Sequence, residues 1–152
     1  MTSQKPTALV HDFFVDLAQQ RIEAALSRVD EQIVYTNVGL PTVRGKRRFA
    51  AVMRALGRDR LSFDLEIRAI SADDDGVVLT ERIDEIGVGP FRMQFWVCGR
   101  TEVREGRITL WRDYFDFLAC TRGFLRGVVG IVVPAARRPL HRPLSAVLTS
   151  VD

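Results

Sequence analysis

Charged residues stand at positions where the sequence pattern calls for apolar ones, and their types suit proton transfer. Alternation in residues 107–117 places Thr109, Trp111, Asp113, Phe115 and Phe117 on one face, which is largely aromatic but carries one carboxylate. Asp113 is therefore expected to be buried. A carboxylate taken out of water is costly unless paired or protonated, and its pKa is pushed upward, which makes it a usable base near neutrality. In residues 77–86 the same alternation puts Arg82 and Asp84 on one face. One arginine can hold two carboxylates through its fork of donors, one ionised while the other keeps its proton, so that an acid and a base share a pocket. The same charges would also suit a buried network that only braces the sheet. A further pair, Tyr35 and Asn37, shares a face of residues 32–38, a strand that Gly39 and Pro41 end.

Whether these groups meet depends on how the strands pair. β-rich runs at 63–71, 77–86, 91–103 and 107–117 are separated by Asp73-Asp74-Asp75-Gly76, Gly87-Val88-Gly89-Pro90 and Arg104-Glu105-Gly106, which read as hairpin connections. The triple aspartate lacks the ligand spacing and glycine position of a calcium loop. A four-residue loop over 87–90 sets Ile86 opposite Phe91, Asp84 opposite Met93 and Arg82 opposite Phe95. A three-residue loop over 104–106, with Gly106 left-handed, sets Val103 opposite Arg107 and Val97 opposite Asp113. A two-residue turn there would shift the register by one and send Asp113 to the other face. The longer loop is preferred because it gathers Phe91, Met93, Phe95, Val97, Trp111 and Phe115 on one face. Arg82 and Asp113 then lie two strands, roughly 10 Å, apart, a gap the two side chains can close.

The elements that must hold this sheet are helical. Val10, Phe13, Phe14 and Leu17, then Ile22, Ala25 and Leu26, predict two helices or one bent helix over residues 7–27. Phe49, Val52, Met53 and Leu56 predict another over 45–56, with Lys46, Arg47 and Arg48 as its solvated first turn. Residues 117–133 are apolar, stop at Pro134, and are too short for the about 20 residues a membrane span needs. They are expected to close the open end of the sheet or to meet a neighbouring subunit. A weak membrane-surface contact, with Arg137, Arg138 and Arg142 behind it, is the alternative. Helices first and a meander of long strands afterwards indicate an α+β fold that curls around a pocket, one domain over 1–152 with its core at about 7–133 and a loosely ordered tail at 134–152.

Composition narrows the function. A chain of 152 residues, 47% apolar, can fill a core or line a pocket, and a net charge of +3 with acids and bases interspersed gives no nucleic-acid footprint. The first ten residues lack the apolar run of a secretory signal, and Cys98 and Cys120 read as reduced, packed thiols, so a cytoplasmic chain is expected. His11 and His141 have no partner at ligand spacing, and no glycine-rich phosphate loop is present, so neither metal nor nucleotide nor flavin cofactor is expected.

The runs Val34-Tyr35-Thr36-Asn37, Thr80-Glu81-Arg82-Ile83-Asp84 and Leu110-Trp111-Arg112-Asp113-Tyr114-Phe115-Asp116 together resemble, in order and separation, the limonene epoxide hydrolase family. The resemblance covers the first helix to about Phe117; the apolar extension after it departs from the family pattern. It implies a curved mixed sheet forming a cone with helices across it, usually a homodimer, and a one-step hydrolysis without cofactor or covalent ester. Carried over, Asp113 is the general base, Tyr35 and Asn37 hold the attacking water with it, Asp84 is the acid, Arg82 bridges the two carboxylates, and Trp111 forms pocket wall. The apolar lining suits a small apolar epoxide of terpene, sterol or fatty-acyl type. Ketosteroid isomerases, polyketide cyclases and non-catalytic lipid-binding modules share this fold, so the fold alone does not choose among them. An isomerase or cyclase has no evident need for an arginine between two carboxylates.

Overall fold

The computed structural model describes residues 4–58 and 60–147. Pro6 opens α1 (Pro6–Ala18), where its fixed φ and missing N–H fit the first helical turn. Val10, Phe13, Phe14 and Leu17 form the buried stripe of α1. Gln20, at φ 60°, turns the chain into α2 (Ile22–Ser27), so residues 7–27 form two helices. The buried carboxylate of Asp16 pins this junction by accepting from Arg21 Nε at 2.9 Å and Arg28 Nε at 2.8 Å.

There follow β1 (Val29–Asn37), β2 (Val43–Arg44), α3 (Lys46–Leu56), β3 (Leu61–Ala72), β4 (Val77–Val88), β5 (Phe91–Arg104), β6 (Arg107–Phe115) and α4 (Phe117–Val132). The strands form one curled, unclosed sheet in the order β2-β1-β6-β5-β4-β3, in which β1 runs parallel to β6 and all other neighbours are antiparallel. The N-terminal helices pack across one face, giving the α+β architecture expected. The apolar core lies between, from Val10, Phe13 and Phe14 of α1 through Phe49 and Met53 of α3 to Ile33, Leu65 and Ile108 of the sheet.

The β4–β5 and β5–β6 turns differ from expectation, and both are two-residue turns. β4 continues through Gly87 to Val88, which pairs with Phe91 around Gly89-Pro90. Asp84 therefore opposes Phe95, and Arg82 opposes Val97. The displacement is two residues, so every side chain keeps its face. At the next turn Arg104 pairs with Arg107 around Glu105 at φ 49° and Gly106 at φ 73°. Two left-handed central residues match the right-handed twist of the flanking strands, which is why the shorter turn wins. By itself this turn would send Asp113 outward. A β-bulge reverses it: Val103 pairs with Ile108 but Glu102 pairs with Leu110, so Thr109 is an extra residue, and beyond it Gly99 opposes Asp113. Asp113 thus faces the helices by a route the sequence reading did not take.

Asp116 caps α4 by accepting from the Leu118 N–H at 2.8 Å. Gly123 and Gly127 face β5, and a Cβ on them would stand 2.2 Å from the Gln94 carbonyl oxygen and 2.5 Å from that of Arg92. The helix backbone therefore lies directly on the strand. Its large side chains, Leu118, Leu125, Val128, Val129 and Val132, turn away and are exposed. Only its first turn, through Phe117 and Cys120, reaches the cavity rim.

The tail lies against β3 as far as Val147. The His141 N–H donates to buried Glu66 at 2.8 Å, the Ser145 N–H to Asp64 at 3.1 Å, and Leu144 is buried. Carboxylates on β3 thus satisfy backbone donors of the tail, a pairing no local pattern announces. Residues 148–152 lie outside the described residues. No helix among the described residues is long and apolar enough to cross a membrane.

Candidate active site

Alternation along β4 turns Arg82 and Asp84 inward, and the bulge in β6 turns Trp111 and Asp113 toward the same space. The parallel pairing of β1 with β6 sets Tyr35 beside Trp111 and Asn37 beside Asp113. All five residues predicted for the site, Tyr35, Asn37, Arg82, Asp84 and Asp113, are thereby brought to one region. The Arg82 guanidinium donates to Asp84 from Nε to Oδ1 and from Nη2 to Oδ2, both at 2.9 Å. It donates to Asp113 from Nη1 to Oδ1 at 3.0 Å and from Nη2 to Oδ2 at 2.7 Å. Two bidentate pairs share one fork, and Arg82 is 0% exposed. The Phe14 ring lies over the guanidinium, 4.6 Å from Cζ to the ring centroid.

Trp111 Nε1 donates to Asp113 Oδ1 at 2.8 Å. The sequence reading treated Trp111 as wall alone and missed this bond. The signal was there, because a buried indole N–H needs a partner, and an aspartate two residues along the same strand face is the nearest acceptor. Asn37 Nδ2 donates to the Tyr35 hydroxyl oxygen at 2.7 Å, which leaves the hydroxyl proton available to another acceptor.

The electrostatics follow from burial. Burial pushes Asp113 above the ordinary carboxylate range, with Arg82 opposing the shift and Asp84 adding to it. Burial alone would lower the Arg82 guanidinium, but Asp113 and Asp84 outweigh it and hold it firmly charged. Tyr35 is pushed up to about 12 by burial and by the charge of Asp113, so its hydroxyl stays protonated.

Tyr35, Asn37, Asp84 and Asp113 border a cavity of about 400 Å³, with Arg82 buried behind the two carboxylates. Met93, Phe95, Val97, Trp111 and Phe115 line it. Phe91 does not: its ring packs against Phe124 of α4 at 5.4 Å between centroids, because the shorter turn moves it past the cavity end. The helices add walls that were not foreseen, Leu17, Val52, Met53 and Leu56. Helical periodicity marks a stripe as apolar without saying whether it covers packed core or open space. Away from the charged end, among the described residues, the polar lining side chains are those of Gln20 and Cys120. Among the described residues no three His, Cys, Asp or Glu side chains gather as a metal site.

A curled α+β sheet with an arginine between two inward carboxylates, opening on an apolar cavity, defines a class of small pocket proteins suited to acid-base work. The family model for the limonene-1,2-epoxide hydrolase catalytic domain matches residues 4–126, and the chain belongs to that family of enzymes. It is 44% identical over 131 residues to epoxide hydrolase EphG of Mycobacterium tuberculosis, covering 86% of this chain and 87% of that one. A solved structure of an LEH-like epoxide hydrolase from the same organism superposes with a TM-score of 0.85 at 42% identity, over 90% of this chain and 96% of the other. A second structure, of the epoxide hydrolase/cyclase-like enzyme SalBIII, has a TM-score of 0.68 at 18% identity over 76% and 94% of the two chains, a likeness of fold alone.

Proposed function

We propose that this chain adds water to an apolar epoxide in one step, giving a vicinal diol. The observation that carries the reading is the double fork of Arg82 to Asp84 and Asp113 at the end of an apolar cavity. In the reactive form Asp113 is ionised and Asp84 holds the proton. A water molecule held by Asp113, the Tyr35 hydroxyl and Asn37 attacks one ring carbon while its proton passes to Asp113. The carbon–oxygen bond breaks, and the oxygen takes the Asp84 proton as it becomes an alkoxide. Relief of ring strain and the two proton transfers lower the barrier together. The product carries the water oxygen, and the proton balance is restored by exchange through solvent from Asp113 to Asp84.

The walls suit terpene, sterol or fatty-acyl epoxides, since a cavity of about 400 Å³ with so little polar lining discriminates by shape and apolar area. We assign the exposed ridge of α4 to a homodimer contact, because an exposed apolar face is what a two-fold interface buries. Residues 117–147 carry five arginines and no carboxylate, so weak contact with an anionic membrane surface is the second use of that ridge. A cytoplasmic location accords with this reading.

The test is a panel of apolar epoxides assayed for diol, followed by a single turnover in heavy-oxygen water. Label in the first-turnover diol supports direct attack. Unlabelled diol points to an ester on a carboxylate and removes the mechanism. Binding without turnover across the panel would favour the lipid-binding alternative, and double-bond migration or ring closure in ketone substrates the isomerase or cyclase one.

A further inference from the structure

We propose that Gly99 is a positioning residue whose missing side chain is the opening through which Arg82 reaches Asp113 across β5. Arg82 belongs to β4 and Asp113 to β6, so the guanidinium must pass over the intervening strand. On β5 the inward positions concerned are Val97, opposite Arg82, and Gly99, opposite both Thr80 and Asp113. A Cβ on Gly99 would stand 2.6 Å from Arg82 Nη1, 2.7 Å from Thr80 Oγ1 and 2.9 Å from Asp113 Oδ1. All three contacts are shorter than carbon and a polar atom tolerate without displacement.

An arginine tip often yields to such crowding, but this one has no room to retreat. It is fully buried and donates to Thr80, Asp84 and Asp113. The Phe14 ring roofs it at 4.6 Å. The guanidinium occupies a slot with the Gly99 backbone as floor and Phe14 as ceiling. No φ requirement explains the glycine, since Gly99 is not among the residues of positive φ in this chain. A glycine inside a central strand is otherwise a weakness, so close approach of another group accounts for it.

This inference rests on the proposed role of Asp113 as base, but its test can be read without turnover. In Gly99→Ala the methyl group should separate Arg82 from Asp113 while Arg82 keeps Asp84. Asp113 then loses its opposing charge, so its carboxyl should titrate about 1–3 pH units higher by carbon-13 NMR on the free protein. The acid limb of kcat/KM should move up with it, kcat should fall, and KM for the epoxide should change little. Gly87→Ala serves as control: a Cβ there is crowded by Ser62 and Arg92, away from the cavity, so stability should fall with no movement of either titration. An Asp113 titration in Gly99→Ala that stays at the wild-type position overturns the proposal, whether or not the protein turns out to be an epoxide hydrolase. If Asp113→Asn keeps full activity, it is the catalytic reading that fails, and the shifted carboxyl titration still upholds the role of Gly99. Should Gly99→Ala not fold, Phe14→Leu is added to thin the ceiling and let the guanidinium rise. A refolded double variant with the shifted Asp113 titration supports the proposal. One that refolds with the wild-type titration, or is no more stable than the single variant, overturns it.

Discussion

Trp111 Nε1 donates a 2.8 Å hydrogen bond to Asp113 Oδ1, the same oxygen that accepts from Arg82 Nη1 at 3.0 Å. Oδ1 is thus engaged by two donors, whereas among the described residues Oδ2 accepts from Arg82 Nη2 alone. The oxygen with the spare lone pair is the one suited to take a proton from water. Trp111→Phe keeps the apolar ring and deletes the donor. A bond to a charged group contributes about 1.5–3 kcal/mol, so its loss should raise the proton affinity of Asp113. Activity should fall more at about pH 6 than at about pH 9, since a higher proton affinity removes the ionised form first on the acid side. Equal loss at both values would show that the indole N–H does not act through Asp113.

Asp113→Asn and Asp84→Asn preserve shape and remove the proposed base and acid. Each should lower kcat by about 10²–10⁴, the usual contribution of general acid or base help. The double variant should lose far less than the product of the two, because a concerted step already fails when one partner is absent. An inert diol should still bind to all three variants, as calorimetry can measure. Near-normal rates in either single variant would leave the buried charges as a brace for the sheet.

The raised pKa of Asp113, caused first by burial, fixes the direction of two pH effects. Activity needs the ionised form, so the acid limb of kcat/KM should lie above the ordinary carboxylate range of about 4. For stability, the folded chain holds this proton more tightly than the unfolded one. The contribution of Asp113 is therefore full below its ordinary pKa and is lost as pH rises through the raised value. Urea midpoints measured across that window should decline less in Asp113→Asn than in the wild type. Tyr35, pushed up to about 12, adds no limb in the neutral range.

Arg82→Lys exchanges a planar fork for a single ammonium in a site with 0% exposure. One ammonium cannot reproduce two bidentate pairs, so a buried carboxylate loses its partners. A loss of about 3–5 kcal/mol in unfolding free energy is expected, together with nearly complete loss of turnover. A variant as stable as the wild type would mean that the carboxylates find other donors.

The ridge of α4 gives a prediction about assembly. Leu125 and Val132 are exposed at 57% and 82%, so replacing both with Glu should leave the fold intact. The proposed homodimer should then sediment as a monomer, and activity per chain should persist because neither residue lines the cavity. A double variant that remains dimeric moves the interface elsewhere, and binding of the wild type to anionic vesicles, lost in the variant, would assign the ridge to a membrane surface. Deleting residues beyond Phe117 should instead cause aggregation, since it uncovers Phe91 and the backbone of β5.

The sequence by itself determined the elements and the faces. Alternation placed Arg82 with Asp84, Tyr35 with Asn37, and Asp113 among aromatics, because strand periodicity is a local property of the chain. Helical spacing located α1 to α4 for the same reason. The tertiary structure alone decided how these faces meet. Turn length at Glu105-Gly106 and the extra residue at Thr109 each reverse the facing of Asp113, and together they cancel. That outcome depends on the twist of both strands and on what packs above them, which a window of one strand does not contain. Likewise nothing local to Gly99 announces that Arg82 lies over it, and nothing local to Asp64 and Glu66 announces that the tail pairs with them. Those contacts join residues far apart in the chain, so their reason exists only in three dimensions.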